Sequence, residues 1–276
     1  MTKMNTIKTA VLLAAMSGLL IAIGGSLGGS NGAVIALFVA VAMNFGSYWF
    51  SADIVLRTAR AKEIRREQDP ALFAMIEEIA QASAMPMPRV YVMDEVQPNA
   101  FATGRDPKHA AVAVTTGIRQ MLTDRELRGV LGHELAHVKN RDILTSSIVA
   151  TIASAISMLA WMGMWFGGGD RRNNGAAGLI AVIVAPIAAT LIQLAVSRTR
   201  EFAADHDGAM IVRDPEALAS ALQKLEMGSQ RVTMDVPQST AHMYIVNPFA
   251  GLRGSSLFAT HPPTAERIAR LRRMTP

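Results

Sequence analysis

Residues 132–137 read Gly-His-Glu-Leu-Ala-His, which sets His133 and His137 four apart with Glu134 beside the first. Side chains at i and i+4 project from one helix face, so both imidazoles can reach a single ion at ~2.0–2.1 Å. Glu134 is then placed to take a proton from water that attacks a carbonyl. Such a centre needs a third ligand, a His or carboxylate distant in sequence. The chain has no cysteine, so thiolate ligands and disulfides are excluded. Glu201 and Asp205 are also one turn apart. In isolation that pair reads as a solvated helix face, so the elements carrying it must decide.

Those elements include long stretches without charge. No Asp, Glu, Lys or Arg lies between Lys8 and Asp53. As helix, that stretch would reach roughly 66 Å, about two crossings of a ~30 Å hydrocarbon core. The run from Gly24 to Gly32 interrupts it, which predicts transmembrane helices near 7–25 and 33–53 joined by a short hairpin. A cleaved signal peptide competes for the first span, but a second span follows at once and no clear cleavage site separates them. Ile143 to Gly169 and Asn173 to Ser197 are each long enough for one further crossing, with Gly167–Gly175 as their turn.

Arg57, Arg60, Lys62, Arg65 and Arg66 follow the second span, Arg198 and Arg200 follow the fourth, and Lys3 and Lys8 precede the first. The positive-inside rule sets both termini and both polar segments in the cytoplasm, against which Arg171 and Arg172 are a mild dissent. Half the residues are hydrophobic and only 18% are charged, against about 25% in soluble domains. The net charge of +5 is accounted for by these flanks, so no nucleic-acid partner is expected. Four segments result: 1–53, two spans; 54–142, polar; 143–197, two spans; and 198–276, polar.

In the first polar segment a helix is predicted from Pro70 to Met85, then strands over Arg89–Met93, Asn99–Thr103 and Ala110–Thr115. A further helix starts after Thr123 as N-cap. In the second, a helix continues span four, another runs from Asp214-Pro215 to about Met227, and a last basic one starts at Pro262-Pro263. Residues 228–260 lack periodicity and read as a long loop. His137 lies six residues before span three and Glu201 four after span four. As rigid antiparallel helices these stand ~9 Å and ~6 Å above the membrane boundary. Histidines and carboxylate then meet at similar height, favouring Glu201 as third ligand and Asp205 as the acceptor that orients a ligand histidine.

Residues 132–142, 197–205 and 260–268 together resemble the bacterial HtpX-type membrane proteases, in the wider group that includes type I CAAX prenyl proteases. The likeness spans nearly the whole chain. It implies a mainly α, integral membrane fold: four transmembrane helices with a cytoplasmic α+β metalloprotease domain of gluzincin type built from two polar segments. It implies one Zn2+ per chain held by His133, His137 and Glu201, with Glu134 as catalytic base. It also implies a place in the bacterial inner membrane, in contact with the lipid bilayer. The implied substrates are unfolded or damaged membrane proteins, in stress-related quality control. Asn99, Ala100 and Phe101 match the segment lining the substrate cleft. His261 is the candidate for stabilising the oxyanion, with Arg198 or Arg267 as supporting charges. His109, His206 and His242 have no partner spacing and are expected not to be ligands.

Other readings are weaker. Charges on both sides of the histidine pair, from Arg125 to Asp142, argue against a site buried in lipid. A silent zinc-binding scaffold has no use for Glu134. A transporter would be expected to carry ionisable residues within its spans, and these have none.

Overall fold

The computed structural model describes residues 2–148, 198–229, 245 and 262–275. The expected third and fourth spans lie outside the described residues except for 143–148, which are helical. So do His242, His261 and most of the expected 228–260 loop.

The chain opens with α1 (Thr2–Thr58), whose helical path breaks at Gly28 and Gly29. Gly29 has φ +60°, a left-handed conformation that glycine adopts without steric cost. The two limbs fold back on each other there. A Cβ at Gly24 or Gly32 would run into the other residue's backbone, so small residues set this approach. Farther along, Asn44 Nδ2 donates to Ser17 Oγ at 2.9 Å, tying the limbs together. Gly28–Thr58 is long and apolar enough to cross a membrane, with mean hydropathy 1.8. Only 11% of its most apolar stretch is buried, which sets it apart from the core helix of a globular domain.

A four-stranded sheet follows: β1 (Lys62–Glu63), β2 (Arg89–Met93), β3 (Ala100–Gly104) and β4 (Ala110–Thr115), in the order β1-β2-β4-β3. β2 and β4 are parallel and the other pairs antiparallel. β3 is thus an edge strand, and it begins one residue later than the predicted 99–103. The period-2 alternation of side chains gives the sheet two buried faces. Tyr91, Met93, Phe101, Ala111 and Ala113 pack against Val55 and Leu56 at the end of α1. Val90, Val112 and Val114 face the helices on the other side.

Those helices are α2 (Pro70–Ala82), α3 (Thr116–Met121), α4 (Asp124–Lys139), α5 (Arg198–Val212), α6 (Pro215–Ser229) and α7 (Thr264–Leu271). Asp69 caps α2 by accepting from the Leu72 amide at 3.1 Å. The helix stops three residues short of Met85, because Ala84 turns left-handed at φ +54°. Thr123 and Glu126 form a capping box at the start of α4, which fixes its register. α4 packs against α5, α6 and β3. Leu131 and Leu135 join Leu218 and Leu222 in the main core.

Candidate metal centre

α4 and α5 cross at two glycines. A Cβ on Gly208 would lie 2.7 Å from the His133 amide nitrogen and 2.8 Å from Gly132 C and O. Only hydrogen at this position lets the two backbones touch. The crossing presses the His133 and His137 face of α4 against the Glu201 and Asp205 face of α5, two turns to one turn before Gly208. All of this lies in the interior: His133 and Glu134 are buried on α4, Glu201 and Asp205 on α5.

Three side chains converge on one point. His133 Nε2 and His137 Nε2 are 3.2 Å apart. Glu201 Oε2 stands 3.7 Å from the first, and Oε1 3.5 Å from the second. Ligands placed tetrahedrally around an ion at ~2.0–2.1 Å stand about 3.3–3.4 Å from one another. One ligand atom from each of His133, His137 and Glu201 lies within 4.8 Å of the other two, so the three side chains could hold a metal ion. Two imidazoles and one carboxylate leave a fourth position for water or substrate.

The outward ring nitrogens meet carboxylates. His133 Nδ1 lies 2.9 Å from Asp205 Oδ1, a close contact off hydrogen-bond alignment. His137 Nδ1 hydrogen-bonds Asp142 Oδ2 at 3.1 Å. Carboxylates in these positions hold each ring with its Nε2 turned toward Glu201. Asp205 is held in turn by Arg267, which donates from Nε at 2.8 Å and from Nη2 at 2.6 Å. Nη1 of Arg267 reaches the Ile245 carbonyl at 3.2 Å. Burial disfavours the Asp205 carboxylate, but the charge and hydrogen bonds of Arg267, then the adjacent His133, hold it well below the usual carboxylate range. Arg267 stays firmly protonated: burial opposes its charge, and Asp205 outweighs the burial.

In the metal-free site His137 has its pKa raised to about 9. Burial opposes that charge, and the Asp142 hydrogen bond with the Glu201 and Glu134 charges overcomes the burial. Glu134 is shifted upward, mainly by burial. The histidine charges and a hydrogen bond from the Ala102 amide, 2.9 Å from Oε2, pull it the other way.

The edge strand therefore reaches the acid next to the His133, His137 and Glu201 cluster. The Ala102 amide points away from β4, while Asn99 O accepts from the Thr115 amide at 2.9 Å within the sheet. By alternation, Ala100 shares the outward orientation of Ala102. All three residues expected in a substrate cleft, Asn99, Ala100 and Phe101, are buried. Asn99 is anchored to Thr115 and Ile245, and Phe101 packs against the end of α1.

Arg267 faces Asp205 rather than an open site, and Arg198 is exposed. His109 pairs with Asp106 and His206 with Asp207, both apart from the triad. Asp142 and Ala102 were not singled out by sequence. Asp142 is an acid five residues past the second histidine, a pattern that could have flagged it. Arg200 is buried beside these groups with Nη1 unpaired, and burial lowers its pKa.

Residues 66–275 match the sequence model of peptidase family M48. A protease HtpX homolog of Burkholderia thailandensis is 54% identical over 276 residues, covering 98% of this chain and 97% of that protein. HtpX homologs of Burkholderia mallei and Burkholderia pseudomallei are 54% identical over 273 residues, 97% of this chain and 96% of theirs. Among solved structures, Ste24p of S. mikatae aligns with a TM-score of 0.54 at 19% identity, over 97% of this chain and 65% of that one. That likeness is one of fold.

Proposed function

The chain belongs to peptidase family M48, and from that premise we propose that His133, His137 and Glu201 hold a zinc ion and that Glu134 is the catalytic base. The protein is a membrane-bound metalloprotease, and its substrates are polypeptides. The observation that carries the assignment is the convergence of three side chains from two helices: two Nε2 atoms 3.2 Å apart, with one or the other Glu201 oxygen 3.5–3.7 Å from each.

Zinc in that position would polarise the scissile carbonyl and make water acidic enough to attack it near neutral pH. Glu134 takes the proton of the attacking water and delivers it to the leaving amine. Its burial suits the task, since a carboxyl raised above its ordinary range is a better acceptor at pH 7 and a better donor afterwards. Asp205 and Asp142 keep His133 and His137 in the ligating orientation, and Arg267 keeps Asp205 ionised. A substrate adds as an extra strand along β3, pairing with the outward backbone groups of Ala100 and with the Ala102 carbonyl, while the Ala102 amide stays with Glu134. His261 as oxyanion donor and Arg198 as a supporting charge rest on the family resemblance.

The wider arrangement follows from the charge pattern. Four spans, at 1–53 and 143–197, carry a protease domain assembled from 54–142 and 198–276. The domain faces the cytoplasm of a bacterial inner membrane, and the enzyme degrades unfolded or damaged membrane proteins there under stress.

Purified wild type and Glu134→Gln, each with and without chelator, test this on unfolded casein. Glu134→Gln should retain about one zinc per chain and lose cleavage by roughly 10²–10⁴-fold. Glu201→Ala should lose both metal and cleavage. Casein degraded as fast by Glu134→Gln as by wild type, or full zinc in Glu201→Ala, refutes the assignment.

A further inference from the structure

A cavity of about 210 Å³ opens where the second limb of α1 meets the turn after β3. One wall is α1 at Trp49 and Ser51, the other is Arg105 and Lys108, with Arg89 beside them. Trp49 is exposed and lies four residues before Asp53, the first charge after the long apolar run. With the second limb crossing a membrane, a premise taken from the proposed function, the cavity sits at the depth of the lipid headgroups. Aromatic residues such as Tyr48 and Trp49 concentrate at that depth.

The basic wall is built and rigid. The Asp106 carboxylate accepts from the amides of Lys108 and His109 at 2.8 and 3.0 Å, capping the short 3-10 turn Pro107–His109. Gly104, with φ +143°, leaves no space for a side chain against the His109 carbonyl. From this turn the Arg105 guanidinium lies over the Trp49 ring, 4.5 Å from its centre. Arg89 is partly neutralised by Asp53 at 3.4 Å, and Arg105 has Asp106 only at 3.7 Å. Lys108 forms no ion pair among the described residues. On the opposite wall the Ser51 hydroxyl is 1% exposed and has no hydrogen-bond partner among the described residues, an unusual state for a buried polar atom.

An unpaired donor, a cluster of cations and an interfacial aromatic around one small void call for an anionic oxygen. We propose that this cavity binds the phosphate headgroup of an anionic phospholipid, with Arg105, Lys108 and Ser51 as its partners. The volume suits a phosphate carrying a small polar substituent, holding on the order of seven waters at ~30 Å³ each. Exposed Phe45 and Phe50 on the same limb offer an apolar surface for acyl chains. A choline headgroup would bring its own cation against Arg105 and Lys108 and is disfavoured.

The test uses the full chain in lipid nanodiscs, with Trp161→Phe and Trp165→Phe leaving Trp49 as the single tryptophan. Quenching of Trp49 is titrated with brominated phosphatidylglycerol or brominated phosphatidylcholine. Direct contact of the headgroup with two cations predicts a preference for phosphatidylglycerol on the order of tenfold or more. Arg105→Gln/Lys108→Gln should abolish the preference, and Arg57→Gln/Arg60→Gln, which removes the same charge elsewhere, should keep it. Retained circular dichroism and zinc content show that each variant is folded. Equal quenching of wild type by both lipids overturns the site and leaves the membrane reading intact. So does loss of preference in both double variants, or displacement of phosphatidylglycerol by excess inorganic phosphate. No quenching by either lipid overturns the membrane placement as well.

Discussion

Gly208→Ala tests whether the metal centre depends on the contact between α4 and α5. The added methyl would stand 2.7 Å from the His133 amide nitrogen, where ordinary contact begins at 3.4 Å. Its neighbours are backbone atoms, so α5 itself must move, by about 0.7 Å. Alanine in mid-helix gains about 1 kcal/mol over glycine in propensity. Overpacking costs about 1–3 kcal/mol, so the net effect on stability is modest, a loss of up to ~2 kcal/mol. The effect on metal is larger. Coordination tolerates about ±0.2 Å, and Glu201 and Asp205 ride on the helix that moves by several times that amount. A 10–100-fold loss of zinc affinity is expected, roughly the range seen when the support of a ligand is removed. Competition with a chromogenic chelator measures it, beside thermal unfolding followed by near-ultraviolet circular dichroism. Gly228→Ala is the control, because its Cβ would meet only Met121 Cε and Sδ, the end of a flexible side chain. It should be neutral or slightly stabilising. Gly208→Ala protein with wild-type zinc affinity would refute the argument that this crossing sets the ligand geometry.

Two further outcomes follow from the charges around the site. Arg267→Met leaves the buried Asp205 carboxylate without its guanidinium partner, a change that costs about 3–5 kcal/mol when one member of a buried pair is removed. Adding Asp205→Asn should recover much of the stability but not the zinc affinity, and a stable Arg267→Met single variant would contradict the pairing. Zinc binding should also release protons. In the metal-free protein His137 is protonated below its pKa of about 9, and only neutral imidazole ligates. The affinity should therefore rise about tenfold per pH unit through neutrality and level off above about 9, with at least one proton released at pH 7. Calorimetry in buffers of different ionisation enthalpy counts that proton, and a pH-independent affinity would place the His137 pKa far lower.

What was legible in the sequence divides along a physical line. Features governed by spacing within one element were readable: the N-cap at Thr123, the period that makes α4 a helix, and the strand at Ala110–Thr115. Features set by a partner were not. β1 consists of two polar residues whose strand geometry comes from pairing with Tyr91 and Val92. The six residues of α3 are too few for periodicity to declare itself. Asp142 reaches His137 because Arg141 turns left-handed at φ +59°, a conformation that an arginine gives no reason to expect. Arg267 showed only a charge in the sequence, and its partner Asp205 lies 62 positions away.

The division between Glu201 and Asp205 shows where spacing stops being informative. Both acids lie on one face of α5 by the same i, i+4 rule, and periodicity alone does not say which one faces the paired Nε2 atoms. That is decided by how far α5 slides along α4, and the slide is set where Gly208 meets Gly132. Aligned there, Asp205 falls beside the His133 Nδ1 and Glu201, one turn earlier, between the two Nε2 atoms. The part of the site that sequence chemistry could not resolve is thus fixed by two residues without side chains. A glycine in such a crossing is as much a determinant of the proposed metal geometry as the side chains it aligns.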